Sequence, residues 1–320
     1  MNILLSILLN NIIPIFIIIL LGFIIGRKFD LNILTLTKLI FYIFTPGYIF
    51  VNLYTTGLDF GHLNVLLFCI IYLIINDLLA RFVSKVRKYD IGMENALKNS
   101  IMFNNTGNIG LSLITLVFSS VPYVFNGQTP YLDRAVSTQI IILVFMNLTT
   151  NTLGFYNASR AYASLKASIV QIFSMPAIYV IPAALLFKYL RVDLTAIPMW
   201  PALEYIKNGL VPMALLTLGV QLSKTRFDFK DVNVSIAVII RLVLGPVLAF
   251  LLIYLFRFHG VIAQTVLISY SVPTAVNTAL IAVECNNNQS FASQVVMMST
   301  VFSAATLSIA IFAARILFPV

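Results

Sequence analysis

The chain is short of charge. Acidic and basic residues make up 10% of its 320 residues, against about 25% in a soluble domain. That deficit excludes an ordinary soluble fold, whose helices are amphipathic and need a polar outer face. No charge precedes Arg27. A secretory signal needs a basic start, so the first apolar run reads as a retained span. The two cysteines, Cys69 and Cys285, propose neither a disulfide nor a metal site. The two histidines, His62 and His259, fall at expected loop edges without metal-ligand spacing. No nucleophile elbow, phosphate loop or HExxH-type motif occurs, so no enzyme activity, cofactor or metal is expected.

What the chain does have is apolar length. It is 60% hydrophobic, with a mean hydropathy of +0.98. Runs of roughly 20 apolar residues are long enough to cross a bilayer as helices. They are neither short nor alternating, as membrane β-strands would be. Spans are predicted near 7–26, 38–56, 63–83, 95–118, 135–156, 167–190, 203–223, 233–256, 261–284 and 292–317. The expectation is an all-α polytopic membrane protein of about ten helices, embedded in the lipid bilayer. The connections are short. The longest, 119–134, carries Pro122, Gly127 and Pro130 and reads as an ordered turn region.

The net charge of +9 fits basic loops between spans better than nucleic-acid binding. With the N-terminus outside, the inner loops hold Arg27, Lys28, Lys38, Arg81, Lys85, Arg87, Lys88, Lys98, Arg160, Lys166, Lys224, Arg226 and Lys230. The outer side keeps Arg134, Lys188, Arg191, Lys207, Arg257 and Arg315. This bias predicts a multi-pass protein of the plasma membrane with both termini extracytoplasmic.

Two spans are interrupted at matching places. The fourth carries Phe103-Asn104-Asn105-Thr106-Gly107-Asn108-Ile109-Gly110, and the ninth Ser271-Val272-Pro273-Thr274-Ala275-Val276-Asn277-Thr278. Amides, glycine and proline at mid-membrane are tolerated only where the backbone lines a cavity or is buried in protein. Paired interruptions point to a transporter's binding site. Gly107 lets the backbone open, and Pro273 removes a donor and clashes with the preceding turn. Opening either helix exposes a half-helix N-terminus, with unpaired N–H groups and partial positive charge. A small carboxylate suits that point. The alternative is packing, with glycine for close helix contact and asparagine for interhelical bonds.

The halves echo each other. Leu58-Asp59-Phe60 with Asn64-Val65 matches Phe227-Asp228-Phe229 with Asn233-Val234, and the asparagines lie 169 residues apart (233 − 64). The same offset relates Asn108 to Asn277 and Asn104 to Pro273. Two five-span repeats are expected, residues 1–160 and 161–320. An odd number of spans makes the second inverted.

Charges inside spans are costly and are functional candidates. Asp77 and Arg81 are four apart on one helix face and can pair. Arg241 lies inside the eighth span at a similar expected depth, which brings an Asp77–Arg241 contact into reach. A structural ion pair for Asp77 and snorkelling for Arg81 are the alternatives. Glu284, ahead of Asn286, Asn287 and Asn288, either caps a loop or joins a cation site with nearby amide oxygens.

Ordered motifs along nearly the whole chain resemble the auxin efflux carrier family in its short bacterial form. They include Pro14, Gly22 and Gly26-Arg27, and Tyr42-Ile43-Phe44-Thr45-Pro46. Asn105-Thr106-Gly107-Asn108-Ile109-Gly110-Leu111 and Pro212-Met213-Ala214-Leu215 follow, then Arg241-Leu242-Val243 with Pro246. Pro273, Asn277 and Ser299-Thr300 close the series. The family's proline after the fourth-span glycine is absent here, and Ser308 stands where the family often has another. The resemblance implies a scaffold of spans 1, 2, 6 and 7 beside a mobile bundle of spans 3–5 and 8–10. It also implies broken fourth and ninth helices crossing at the substrate, an acid–base pair at Asp77 and Arg81, and a homodimer through the scaffold.

The expected function is a permease for a small organic anion, working by elevator-type alternating access. Asn104, Asn105, Thr106, Gly107, Asn108, Pro273 and Asn277 would form the substrate site, and Asp77, Arg81 and Arg241 would set its charge balance. Competing readings are a sodium-coupled symporter of the bile-acid carrier type, which Glu284 motivates, and a channel or ligand sensor.

Overall fold

The computed structural model describes residue 5 and residues 7–56, 61–159, 176–224 and 231–320. The Leu58-Asp59-Phe60 and Phe227-Asp228-Phe229 motifs lie outside the described residues, as do Arg160, Lys166, Arg226, Lys230 and the expected span start at 167–175. So do the side chains of His62 and Glu284.

The described chain is built of helices joined by short loops and turns. Its segments are α1 (Leu8–Lys28), α2 (Ile33–Thr55), α3 (Gly61–Arg87), α4 (Ile91–Met102), α5 (Thr106–Phe118) and α6 (Leu132–Ser159). Then come α7 (Pro176–Tyr189), α8 (Trp200–Ser223), α9 (Val232–Leu255), α10 (Gly260–Ser271), α11 (Val276–Glu284) and α12 (Gln289–Leu317). Six of them, α1, α2, α3, α6, α9 and α12, are long and apolar enough to cross a membrane. Shorter apolar stretches lie in α5, α7 and α10.

Local chemistry sets several helix starts. Asn32 accepts from Thr35 N at 3.0 Å to begin α2. Asp90 accepts from Met93 N at 2.7 Å, so α4 starts at Ile91, ahead of the expected 95. Asp231 accepts from Asn233 N at 2.8 Å to begin α9. Each side chain satisfies a donor that the first turn leaves orphaned.

Proline shapes the helix interiors. Widened turns with i→i+5 bonds occupy Leu8–Ile12, Ile40–Phe44 and Ile240–Leu244. In each case a proline, Pro14, Pro46 or Pro246, follows two residues later. The ring clashes with an upstream carbonyl and offers no N–H, and the wider turn accommodates both defects.

Glycine sets the tightest contact. α1 packs along α8, where a Cβ on Gly22 would strike the Leu216 carbonyl and one on Gly219 the Ile19 carbonyl. Small residues spaced as Gly22 and Gly26 let two backbones approach this closely in lipid. α2 lies on α7 and α8. Its C-terminus is held by Lys188 Nζ, which donates to Thr55 O at 2.7 Å and Tyr54 O at 3.1 Å. The remaining helices pack together, α3 on α4 and α6, and α10 on α6, α9 and α12. Between α5 and α6, Asn126 and Gly127 take positive φ and close a turn in which Phe125 and Gln128 exchange backbone bonds of 2.9 Å.

Candidate functional site

The two interruptions meet. α4 ends at Met102 and α5 starts at Thr106, while α10 ends at Ser271 and α11 starts at Val276. Between them Phe103 and Val272 are extended. For Val272 the cause is the following proline, which disfavours helical geometry at the residue before it. The extended pieces pair antiparallel, with Asn104 opposite Thr274. Asn105 N donates to Pro273 O at 2.8 Å, and Ala275 N donates to Phe103 O at 2.9 Å. Each broken helix thus satisfies backbone groups that the other has freed, as a water-poor interior demands.

The fourth-span break needs no proline of its own. Asn105 Oδ1 accepts from Asn108 N at 3.2 Å and caps α5. Gly110 N reaches back five residues to Asn105 O at 2.9 Å. Gln139, fully buried on α6, donates from Nε2 to Thr106 O at 2.9 Å, and its Oε1 accepts from Ser269 on α10. Gly110 leaves the space that Gln139 fills, since a Cβ there would lie 2.9 Å from its Nε2. The departure from the family's proline pattern therefore leaves the break in place.

Beside the crossing lies a cavity of about 50 Å³. A water needs about 10–15 Å³ by the same measure, so a few small polar groups fit. Asn104, Asn105, Thr106, Gly107, Asn108 and Asn277 of the expected substrate site line it. Pro273 is not among the lining residues. It acts through its carbonyl in the crossing. Asn108 and Asn277 are half-buried at the cavity wall. The Asn105 side-chain nitrogen is buried and has no protein hydrogen-bond partner. Such a donor costs about 1–3 kcal/mol until something accepts from it.

Among the described residues, the lining contains no Asp, Glu, Lys or Arg side chain. The positive field comes instead from backbone. α5 and α11 both begin at the cavity, and Ala275 places no side-chain cap on the first N–H groups of α11. Each helix start is equivalent to about half a positive charge.

Asn104 is differently committed. Its Oδ1 accepts from Arg241 Nη1 at 2.6 Å, and its Nδ2 donates to Ser269 O at 3.4 Å. Arg241 is fully buried. It also donates from Nη1 to Ile101 O at 3.0 Å, from Nε to Val272 O at 3.0 Å and from Nη2 to Tyr270 O at 2.6 Å. The Asp77–Arg241 contact considered from sequence is not formed. Asp77 pairs with Arg81 at 2.6 Å and with Lys98 at 3.4 Å, and Lys98 also pairs with Glu94 at 2.8 Å. Lys98, counted above with the inner-loop basic residues, sits buried on α4.

Beyond Glu284, the neighbouring amides engage each other. Gln289 Nε2 donates to Asn286 Oδ1 at 2.6 Å, and Asn288 Nδ2 to Asn287 Oδ1 at 2.9 Å. No group of three or more His, Cys, Asp or Glu that could hold a metal ion occurs among the described residues. The Ser299 hydroxyl accepts from Thr274 N at 3.2 Å at the crossing.

Several lining residues escaped the sequence reading: Thr37 and Thr45 on α2, Asn147 and Thr150 on α6, and Thr217 and Gln221 on α8. A signal existed on α6. Gln139, Asn147 and Thr150 recur at offsets of eight and eleven residues, which lie on one helical face.

Broken apolar helices that cross beside a polar cavity define a multi-pass membrane protein. The chain matches the family described as membrane transport protein over residues 7–311, and it belongs to that family. The resemblance to auxin efflux carriers therefore holds over nearly the whole chain. The chain is also similar to an uncharacterized transporter of Methanothermobacter thermautotrophicus, with 23% identity over 310 residues, covering 93% of this chain and 95% of the relative. This is a transport family rather than an enzyme class.

Proposed function

We propose that the protein is a secondary carrier that moves a small organic anion, a carboxylate, across the cell membrane by elevator-type alternating access. In this reading the chain forms ten spans in two inverted repeats, residues 1–160 and 161–320. α4 with α5 is the fourth span, and α10 with α11 is the ninth. α1, α2, α7 and α8 form the scaffold, and α3 to α6 with α9 to α12 form the moving bundle. Both termini face outward.

The observation that carries the reading is the crossing. Two helix N-termini and the unpartnered Asn105 Nδ2 border one small cavity with no acidic side chain among the described residues. Together the two helix ends are equivalent to about one positive charge, and a carboxylate supplies the acceptors. The cavity also lies between the two groups of helices. Thr37, Thr217 and Gln221 come from the scaffold side, and Asn105, Asn108 and Asn277 from the bundle.

The far end of α5 is tied to α1. There Asn11 on α1 donates to Ser120 Oγ at 2.9 Å and to Leu116 O at 3.3 Å.

Counterflow in proteoliposomes tests the proposal. Vesicles preloaded with an unlabelled carboxylate should accumulate the labelled acid transiently and with saturation. Flux that never saturates and shows no counterflow would mean a channel instead.

A further inference from the structure

Among the described residues Arg241 is the largest fully buried side chain, and its surroundings are unusual for a buried charge. No carboxylate faces it among the described residues. Its hydrogen-bond partners among the described residues are all oxygens of the crossing: Ile101 O, Tyr270 O, Val272 O and Asn104 Oδ1, at 2.6–3.0 Å. Ile101 lies in the last turn of α4 and Tyr270 in the last turn of α10. The guanidinium therefore sits where two helix C-termini converge. Each such end is equivalent to about half a negative charge, so the pair amounts to about one. One guanidinium offsets it.

Three backbone carbonyls and one amide oxygen gathered at a single point are also the donor set that a hard cation takes. Here a side chain already fills that point. We propose that Arg241 is the carrier's resident cation. It takes the place of a bound and co-transported inorganic cation, and it locks the crossing so that the opposite ends, the N-termini of α5 and α11, stay aimed at the cavity. Gly245, one turn along α9, supports this placement. A Cβ there would lie 2.9 Å from Tyr72 Oη and 3.8 Å from Arg241 Cζ. Arg241 is a positioning residue in this account. It does not line the cavity.

The consequence is a carrier that ignores sodium as wild type and becomes cation-dependent when Arg241 is cut away. The transport half of this rests on the anion-carrier reading, while the binding half does not. The experiment measures melting of the purified full-length protein, and carboxylate counterflow, in sodium, potassium and choline chloride at equal ionic strength. Wild type should melt and transport alike in all three. Arg241→Ala should lose melting temperature and transport. Ethylguanidinium at millimolar concentration, or sodium in preference to choline, should restore melting in part, because only a cation fitting the vacated point rebinds the carbonyls. Arg241→Lys should retain more stability than Arg241→Ala and show no sodium response.

Wild-type transport that requires sodium would overturn the proposal, even if no variant folds. So would an Arg241→Ala protein as stable and active as wild type, or one rescued by neither cation. If no carboxylate moves in any salt, the carrier reading fails while the melting comparison still decides the role of Arg241.

Discussion

The main-chain N–H of Asn105 donates to the carbonyl of Pro273 at 2.8 Å, so one residue ties the two broken helices together. The same residue caps α5 through Oδ1 and leaves Nδ2 without a protein partner. Three polar groups of one side chain and backbone thus do three separate jobs, and substitution can separate them.

Asn105→Asp keeps the capping oxygen and the backbone bond but turns the free donor into an acceptor carrying negative charge. The cap is worth about 1 kcal/mol, and most of it survives. We expect a melting temperature near wild type and loss of carboxylate binding, read as the loss of ligand-induced stabilisation. Asn105→Ala removes cap and donor together, so it should lower both. Retained carboxylate binding in the aspartate variant would remove Nδ2 from the site.

Pro273 and the Asn104–Gly110 run were legible in sequence because proline, glycine and amides are rare at mid-membrane and carry their own backbone consequences. The partners were not legible. Asn104 reads as a ligand group like its neighbours, yet its amide is spent on Arg241 and Ser269. Arg241 reads as a costly charge seeking a carboxylate, whereas backbone carbonyls of two other helices satisfy it. Such carbonyls exist in every helix and become available only where helices end together, which one-dimensional spacing does not encode. Lys98 shows the same limit in reverse. The charge bias groups it with the inner-loop residues, whereas it is buried within α4 and paired with Asp77 and Glu94.

The α1–α8 contact depends on the absence of two side chains. A Cβ on Gly219 would meet the Ile19 carbonyl and Phe23 N, backbone atoms that no rotamer change can move. Gly219→Ala should destabilise the protein by about 1–3 kcal/mol, the range for overpacking. Gly127→Ala is the contrasting control. Its Cβ would meet nothing within 4 Å, and its cost would come from a φ of +77° alone. Thermal unfolding in detergent compares the two, and equal melting of Gly219→Ala and wild type would mean the helices can part without penalty.

The Asp77, Arg81, Glu94 and Lys98 cluster is graded by burial. Lys98 has a side-chain exposure of 4%, Asp77 24% and Arg81 59%. Removing Lys98 leaves two partly buried carboxylates near each other without their shared cation, and removal of one partner of a buried pair costs several kcal/mol. Lys98→Met should therefore be the most destabilising single change here. Asp77→Asn leaves Lys98 its bond to Glu94 and should cost about 1 kcal/mol. Arg81→Ala removes an exposed ion pair, worth about 0–1 kcal/mol. The order of the three melting temperatures is the check, and a large loss with Arg81→Ala alone would contradict it.

Asn108 and Asn277, like Asn147, are half-buried amides of the cavity wall, and as first-turn residues of α5 and α11 they test the site with little disturbance to the crossing. The backbone of Asn108 carries the structural bonds, accepting from Ser112 Oγ at 2.6 Å and donating to Asn105 Oδ1 at 3.2 Å. Both survive a change of side chain. Leucine is close in size and suits a protein surrounded by lipid, so Asn108→Leu should melt close to wild type. A hydrogen bond to a charged partner is worth about 1.5–3 kcal/mol, which is roughly tenfold to a hundredfold in affinity. Asn108→Leu and Asn277→Leu should each weaken carboxylate binding by that factor, and the double variant should abolish counterflow. Wild-type counterflow by the folded double variant would move the substrate away from this cavity, and with it the proposed role of the crossing.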